Sequence, residues 1–489
     1  MLAEQRHQQV MAKILGGTLR RNKAYVSLDG PNRWKVYRHG KNERTIHRMW
    51  YRCVGLFAWI FVSLYVCGSM PDSFTFDWRQ EKGAFRGGGG IRKSVVRSRG
   101  LAASVVAEEN FSHDRLSKNV YSDAVGKVSG LSSDIKVYVY NLPAKYNEDW
   151  LENSRCSSHL FAAEVAIHQA LMSSSLRVLD PWEADFFFVP VYVSCNFITK
   201  NGFPSLGHAR PLLRSAVEYI SGAMPYWNRS GGADHIFAAT HDYGACFHAM
   251  EDVAVSDGIP PFLQNSIILQ TFGVKGKHPC QDVEHIQIPP YVSPKSIEAT
   301  LGSVPPQKHK RDIWVFFRGK MEIHPKNISG RIYSKGVRTT IWQKFGHNRK
   351  FYIKRKRYEG YHSEIVRSVF CLCPLGWAPW SPRIVESVSL GCVPVIIADN
   401  ISLPYSDAIP WPKISLNIPE RDVAKLGKIL DKVAANNLTS IQRNLWKEDN
   451  RRALLFTEPI QHGDATWQIL EALTRKMDRS HRNRTSASS

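Results

Sequence analysis

"SPRIVESVSLGCVPVIIAD", residues Ser381 to Asp399, reads as a helix, a tight turn and a strand. Ser381 can cap the helix amides, and Pro382 suits the first helical position, where a missing N–H costs nothing. Ile384, Val385 and Val388 mark one apolar face, and Gly391 fits the helix stop. Cys392 to Ala398 is an unbroken apolar run, the pattern of a parallel strand covered on both faces. Two charges sit oddly in the first turns of a helix that must bury itself on a sheet: Arg383 and Glu386. A helix N-terminus attracts anions, and an arginine there deepens the positive potential. A glutamate one turn further repels that same anion unless it binds an uncharged group attached to it. A nucleotide sugar, with two phosphates beside a ribose diol, has that arrangement. The plain alternative is an (i, i+3) salt bridge on a helix surface.

Outward from this unit, strands and helices alternate twice. "IKVYVYNLP" (135–143), "ADFFFVPVYV" (184–193), "DHIFAATHD" (234–242) and "SIILQTFG" (266–273) read as strands, with "HLFAAEVAIHQALM" (159–172) as a helix. The proline-bearing "LGSVPPQKHKRD" (301–312) reads as a linker. A second alternation follows: "IWVFF" a strand, "GVRTTIWQKF" and "YHSEIVRSV" helices, "FCLCPLG" a strand, then the opening unit, "ERDVAKLGKILDKVAA" and late helices to residue 475. Two successive α/β units of similar size predict two facing, doubly wound Rossmann-like domains, 133–305 and 306–475, with a ligand cleft between them. Neither carries GxGxxG or a P-loop, which argues against a dinucleotide oxidoreductase or an NTPase.

The formal charge of +22 is unevenly spread. Residues 1–52 hold twelve Lys or Arg against three acids, giving +9, and read as a basic cytosolic tail. Residues 53–70, "CVGLFAWIFVSLYVCGSM", carry no charge and are just long enough to span a bilayer. The basic flank comes first, so the positive-inside rule predicts an uncleaved signal anchor with the remainder across the membrane. A cleaved signal peptide is the competing reading, disfavoured by the long basic lead-in. Residues 71–132 are poor in large apolar groups and read as a flexible luminal stem, and 476–489 as a basic disordered tail. Six Asn-x-Ser/Thr sequons lie beyond the span, at Asn110, Asn228, Asn327, Asn400, Asn437 and Asn483. Seven cysteines follow it, so in an oxidising lumen some should pair and at least one stays over.

The run "FCLCPLGWAPWSPRIVESVSLGCVPVIIADNISLPYSDAIPW", with "DHIFAATHDYGACF" and "IWVFFRGK" before it, resembles the signature blocks of exostosin-type glycosyltransferases, in their order and behind a type II anchor. The likeness covers roughly 135–473 and is nearest to the plant branch implicated in glucuronoxylan synthesis in secondary walls. It implies a glycosyltransferase-B fold and residence in the Golgi membrane. It also implies inverting transfer from a UDP-sugar, with glucuronic acid expected, to xylan or its reducing-end oligosaccharide. Partners within a glycosyltransferase complex are a further expectation. A non-catalytic scaffold subunit, or a transferase using UDP-xylose, stands as the alternative.

In such folds the carboxylate of this helix accepts from the ribose hydroxyls, and Glu386 occupies the matching place. Arg383 and Ser381, with the free helix amides, would face the pyrophosphate and stabilise departing UDP. Arg318, closing the strand "IWVFF", is a second phosphate candidate, although a strand-end arginine often simply meets a carboxylate. Trp377 and Trp380 bracket the turn, as packing or as stacking surfaces. Relatives often have a basic residue where this chain has Leu375, which puts one phosphate contact in doubt or moves it elsewhere. No Asp-x-Asp occurs in the chain, so no divalent metal or other cofactor is expected. His241 and Asp242, at a strand's carboxyl end, are the candidate base, with turn chemistry as the alternative. Glu183 and Asp185 are lesser candidates that suit the capping of a strand entry. "RKFYIKRKR" (349–357) is a solvated basic edge or a feature favouring an acidic donor or polymer; behind a membrane anchor a nucleic-acid partner is not expected.

Overall fold

The computed structural model describes residues 24–28, 34–38, 135–195, 206–321, 333–356 and 358–481. The expected anchor 53–70, the stem, and the sequons Asn110, Asn327 and Asn483 lie outside them. Among the described residues no helix is long and apolar enough to cross a membrane. Within the expected basic tail, β1 (Ala24–Leu28) and β2 (Trp34–Arg38) pair as an antiparallel hairpin, in a unit distinct from the one holding the rest of the described chain.

That second unit contains two parallel sheets. The first has the order β4 (Arg177–Val178), β3 (Val137–Val139), β5 (Phe186–Phe188), β6 (His235–Ala239), β7 (Ile267–Gln270), β8 (His285–Gln287). The second has the order β10 (Phe351–Lys354), β9 (Ile313–Arg318), β11 (Ser368–Pro374), β12 (Val393–Ile397), β13 (Leu416–Asn417). Every pairing within both is parallel. The apolar runs are strands because helices cover both faces, so Phe186, Phe187 and Phe188 are all buried despite pointing alternately up and down. The two Rossmann-like halves form the glycosyltransferase-B arrangement, as expected.

Four boundaries differ from the sequence reading. The strand expected over 184–193 stops at Phe188, because Pro190 has no N–H to donate and the chain turns, Tyr192 donating to the Tyr146 carbonyl instead. The first half ends before 305: the helix Pro294–Leu301 buries Ile297 and Leu301 in the core of the second sheet. Conversely, the last helix, Ala465–Thr474, returns to the first sheet, packing Ile469, Leu470 and Leu473 against Val137, Phe188 and Ile236. The tail expected from 476 is ordered as far as Ser480 on that same half, because its charges find partners there. Lys476 pairs with Glu284, Arg479 donates to the Ala233 carbonyl at 3.0 Å, and the Ser480 hydroxyl reaches Asp185 at 3.3 Å.

Disulfides join Cys156 to Cys195, Cys246 to Cys280 and Cys371 to Cys392, leaving Cys373 free and buried. The sequons Asn228, Asn400 and Asn437 are exposed.

Candidate active site

β11 runs into the turn "LGWAPW", and Ser381 opens the helix Pro382–Ser389 by accepting from the Arg383 amide at 3.3 Å. Ile384, Val385 and Val388 are buried as the spacing predicts, and Gly391 takes a φ of +74°, which a side chain would strain. The helix start thus sits at the carboxyl edge of the second sheet, where ligands bind in such folds.

Arg383 is only 8 % exposed, and it makes no ion pair with Glu386 among the described residues. Both grip the same phenol. Arg383 Nε donates to Tyr361 Oη at 3.0 Å, and that hydroxyl donates to Glu386 Oε2 at 2.8 Å. Burial holds the Tyr361 hydroxyl well above its usual range, so it stays protonated and can serve both neighbours. His362 Nε2 lies 3.4 Å from Glu386 Oε1, and its Nδ1 lies 3.0 Å from Ser296 Oγ. Arg383 Nη2 donates to the Arg318 carbonyl at 2.6 Å, whereas Nη1 is buried without a partner among the described residues. A surface salt bridge between the helix charges is therefore not what the chain forms.

Arg318 is spent elsewhere. Its Nε and Nη2 fork onto the Glu364 carboxylate and its Nη1 donates to the Lys356 carbonyl, the ordinary fate of a strand-end arginine. It lines one wall of a cleft of about 710 Å³ with Gly319, Lys320, Arg355, Lys356 and Tyr361. The end of the basic run 349–357 therefore supplies the rim of this cleft.

The candidate base comes from the other half. His241 and Asp242 follow β6 at the carboxyl edge of the first sheet, and Asp242 is 7 % exposed. Burial raises the Asp242 carboxyl to about 7, the range in which a general base works at neutral pH. Trp380 leans on Asp242 and eases it back slightly, but its Nε1 closes no hydrogen bond of ordinary geometry among the described residues. Burial, aided by His248 and His208, pushes His241 down to about 3; it is neutral, with neither ring nitrogen partnered among the described residues.

The tryptophan turn closes the gap between halves. Tyr243 Oη donates to the Trp377 carbonyl at 3.0 Å, and the Trp380 and Phe161 rings lie 5.8 Å apart. Trp377 packs on Tyr333, so both tryptophans are at least structural. The structure thus gathers Asp242, Ser381, Arg383 and Glu386 along one path and leaves Arg318 committed to Glu364. Glu183 and Asp185 lie at the opposite edge of the first sheet, before β5. Glu183 pairs with Lys136 and Asp185 accepts the Lys136 amide at 2.9 Å.

Two residues that the sequence reading passed over belong here. Tyr361 joins Arg383 to Glu386, and Arg338 donates to the carbonyls of Pro374 and Leu375 at 3.1 and 2.9 Å, placing a guanidinium beside the apolar Leu375. Arg338 shares a helix face with Ile341 and Phe345, both buried, so an arginine at an apolar position was the available signal. Among the described residues no group of three or more His, Cys, Asp or Glu side chains could hold a metal ion.

Two successive parallel-sheet halves, with a capped helix start at the carboxyl edge of the second, are the architecture of a glycosyltransferase. Residues 131–433 match the Exostosin GT47 domain, and the chain belongs to that family. It is 64% identical over 366 residues to an Arabidopsis thaliana protein named "Probable glucuronoxylan glucuronosyltransferase", covering 74% of this chain and 78% of that one. A second Arabidopsis protein of the same description is 58% identical over 397 residues, 81% of this chain and 87% of its own. A third, named "Probable beta-1,4-xylosyltransferase", is 43% identical over 376 residues, 76% of this chain and 88% of its own.

Proposed function

We propose that this chain transfers glucuronic acid from UDP-glucuronate, with inversion, to glucuronoxylan or the oligosaccharide at its reducing end. The observation that carries the reading is the meeting of two unlike groups at the junction of the halves. Tyr243, next to Asp242, donates to the Trp377 carbonyl at 3.0 Å in the turn that leads directly into the helix bearing Arg383 and Glu386, and Trp380 of that turn bears on Asp242. In the proposed reaction an acceptor hydroxyl attacks the anomeric carbon and Asp242 takes its proton. The bond from that carbon to the β-phosphate oxygen breaks, and UDP leaves with the electron pair. Arg383 Nη1 and the free helix amides meet the charge that develops on the phosphate. Glu386 keeps lone pairs beyond those used by Tyr361 and His362, enough to accept from a ribose diol.

The acidic sugar is favoured by Lys320, Arg355 and Lys356 at the cleft, and by the names of the two nearer relatives. Operation without a divalent metal, a type II topology set by the uncharged 53–70, residence in the Golgi membrane and assembly with other transferases belong to the same proposal.

Thermal unfolding of the full-length chain with UDP, UDP-glucuronate, UDP-xylose or ATP, with and without EDTA, tests it. A ligand at 100 times its Kd adds about 2.7 kcal/mol to native stability. The expected result is a rise in Tm with UDP-glucuronate above that with UDP-xylose, kept in EDTA and lost in Glu386→Gln. A larger rise with UDP-xylose reassigns the donor, and a rise abolished by EDTA contradicts the metal-free site. Silence from every UDP compound favours a scaffold.

A further inference from the structure

The basic run 349–357 has only its end in the cleft. β10, which carries it, is the last strand of the second sheet, and among the described residues no strand pairs with its outer side. Phe351 and Ile353 turn into the core, so Tyr352 and Lys354 share the opposite face, the Lys354 ammonium lying 4.8 Å from the centre of the Tyr352 ring. Arg349 precedes the strand, and Lys344 closes the helix Val337–Phe345, whose Phe345 stacks on Phe351 at 4.3 Å. Lys344, Arg349 and Lys354 are exposed, and none meets an acid among the described residues; the nearby Asp431 is taken by Lys350 at 3.1 Å. Past Lys354 the run enters the cleft, where Arg355 and Lys356 line the wall beside Tyr358, whose ring is 54 % exposed. One cationic strip thus leads along an edge strand to the mouth of the cleft, with tyrosine rings set between its charges.

Lysines on an edge strand also discourage pairing with a second chain, which accounts for Lys354 but not for Lys344 and Arg349 outside the strand. A row of unpaired cations suits an anion that is long rather than compact. Rings between the charges suit a partner with apolar faces between its own charges. A pyranose chain bearing carboxylates has both features. Each exposed contact is weak alone, so a single sugar acid gains little, whereas a chain presenting many carboxylates gains through repetition. The transfer proposed above makes such a chain, because every glucuronate added brings one carboxylate to the cleft.

We propose that the outer edge of β10, with Lys344, Arg349 and Lys354, binds the uronic-acid-bearing stretch of polysaccharide as it leaves the cleft. The inference rests on the glucuronic-acid reading of the transfer and adds to it a second binding site, outside the donor cleft.

The test measures binding of polymeric glucuronoxylan, of the same polymer with its carboxyl groups reduced to alcohols, and of UDP to the full-length chain. Wild type is compared with a triple variant, Lys344→Gln, Arg349→Gln and Lys354→Gln; all three side chains are exposed, so it should fold. Glucuronoxylan should bind wild type with an affinity that falls as salt is raised, and bind the triple variant about tenfold more weakly. The reduced polymer should bind both proteins weakly and alike, and UDP should bind both alike. In transfer assays the triple variant should raise KM for long xylan already carrying glucuronate, while kcat and the KM for a short neutral xylo-oligosaccharide stay unchanged. The proposal is overturned if the triple variant keeps wild-type affinity for glucuronoxylan, or if the reduced polymer binds wild type as well as the acidic one. It is equally overturned if phosphatidylserine vesicles bind wild type and glucuronoxylan does not, which assigns the strip to a lipid surface. Failure of the transfer reading looks different: glucuronoxylan binding depends on the three cations, yet no UDP compound binds and no glucuronate is transferred, which leaves the strip standing as an acidic-polysaccharide site.

Discussion

The two halves keep their polar groups in opposite states. At the end of β6, Asp242 and His241 are enclosed with little to partner them, and burial moves both toward their neutral forms, one up to about 7 and the other down to about 3. At the start of the Pro382–Ser389 helix, Arg383 and Glu386 are both partnered, with Tyr361 bridging them and the Arg318 carbonyl accepting from Arg383. Desolvation without a partner neutralises the first pair; in the second, one hydroxyl accepts from the guanidinium and donates to the carboxylate. The division matches what the proposed inverting transfer would need, a proton acceptor on one side and fixed positive charge on the leaving-group side.

The sharpest way to break this division is Asp242→Asn. It should lower kcat by about 10²- to 10⁴-fold, the usual worth of a positioned general base, while UDP binding is unchanged. A parallel loss of UDP affinity, read by calorimetry, would show that the halves do not divide the work. For the wild type, kcat should rise with pH through about 7 as Asp242 loses its proton, and that limb should vanish in the variant.

A smaller effect is expected from Tyr361→Phe, which keeps the ring and removes only the bridging hydroxyl. Arg383 and Glu386 are then free to collapse onto each other, three residues apart on one helix. UDP affinity should fall about fivefold, near 1 kcal/mol, with the pH profile unmoved. An altered pH profile would tie Tyr361 to the proton rather than to the nucleotide.

The smallest effect is on stability. Asp242 at about 7 and Glu164, pushed by burial to about 8, keep protons in the folded state that an unfolded chain gives up near pH 4. Between about pH 4 and 8 the native state binds more protons, so these two groups make stability fall as pH rises. Asp242→Asn removes one of them, and its Tm should decline less than wild type between pH 5.5 and 8. An equal decline would mean that Asp242 ionises in the native state as it does in the unfolded chain.

Much of this was legible because the signals are local. The Ser-Pro cap, the apolar spacing and Gly391 specify the Pro382–Ser389 helix within eleven consecutive residues, and "DHIFAATHD" places Asp242 at a strand end. What escaped depends on residues distant in the chain. Nothing near Arg318 announces that Glu364, 46 residues on, takes its guanidinium. Nothing near Ile297 and Leu301 marks which sheet their helix covers, and the return of Ala465–Thr474 to the first sheet has no sequence mark. Arg338 shows as an arginine on an apolar face; that it meets Arg383 beneath Gly319 is visible only in three dimensions.

The most direct test of the central claim is transfer itself, measured with the full-length chain, UDP-glucuronate and xylo-oligosaccharides in EDTA. Wild type should release UDP and form a product carrying glucuronate, with its anomeric configuration inverted. Asp242→Asn should bind UDP and turn over about 10²- to 10⁴-fold more slowly. Turnover at the wild-type rate in Asp242→Asn, or a product of retained configuration, would contradict the account.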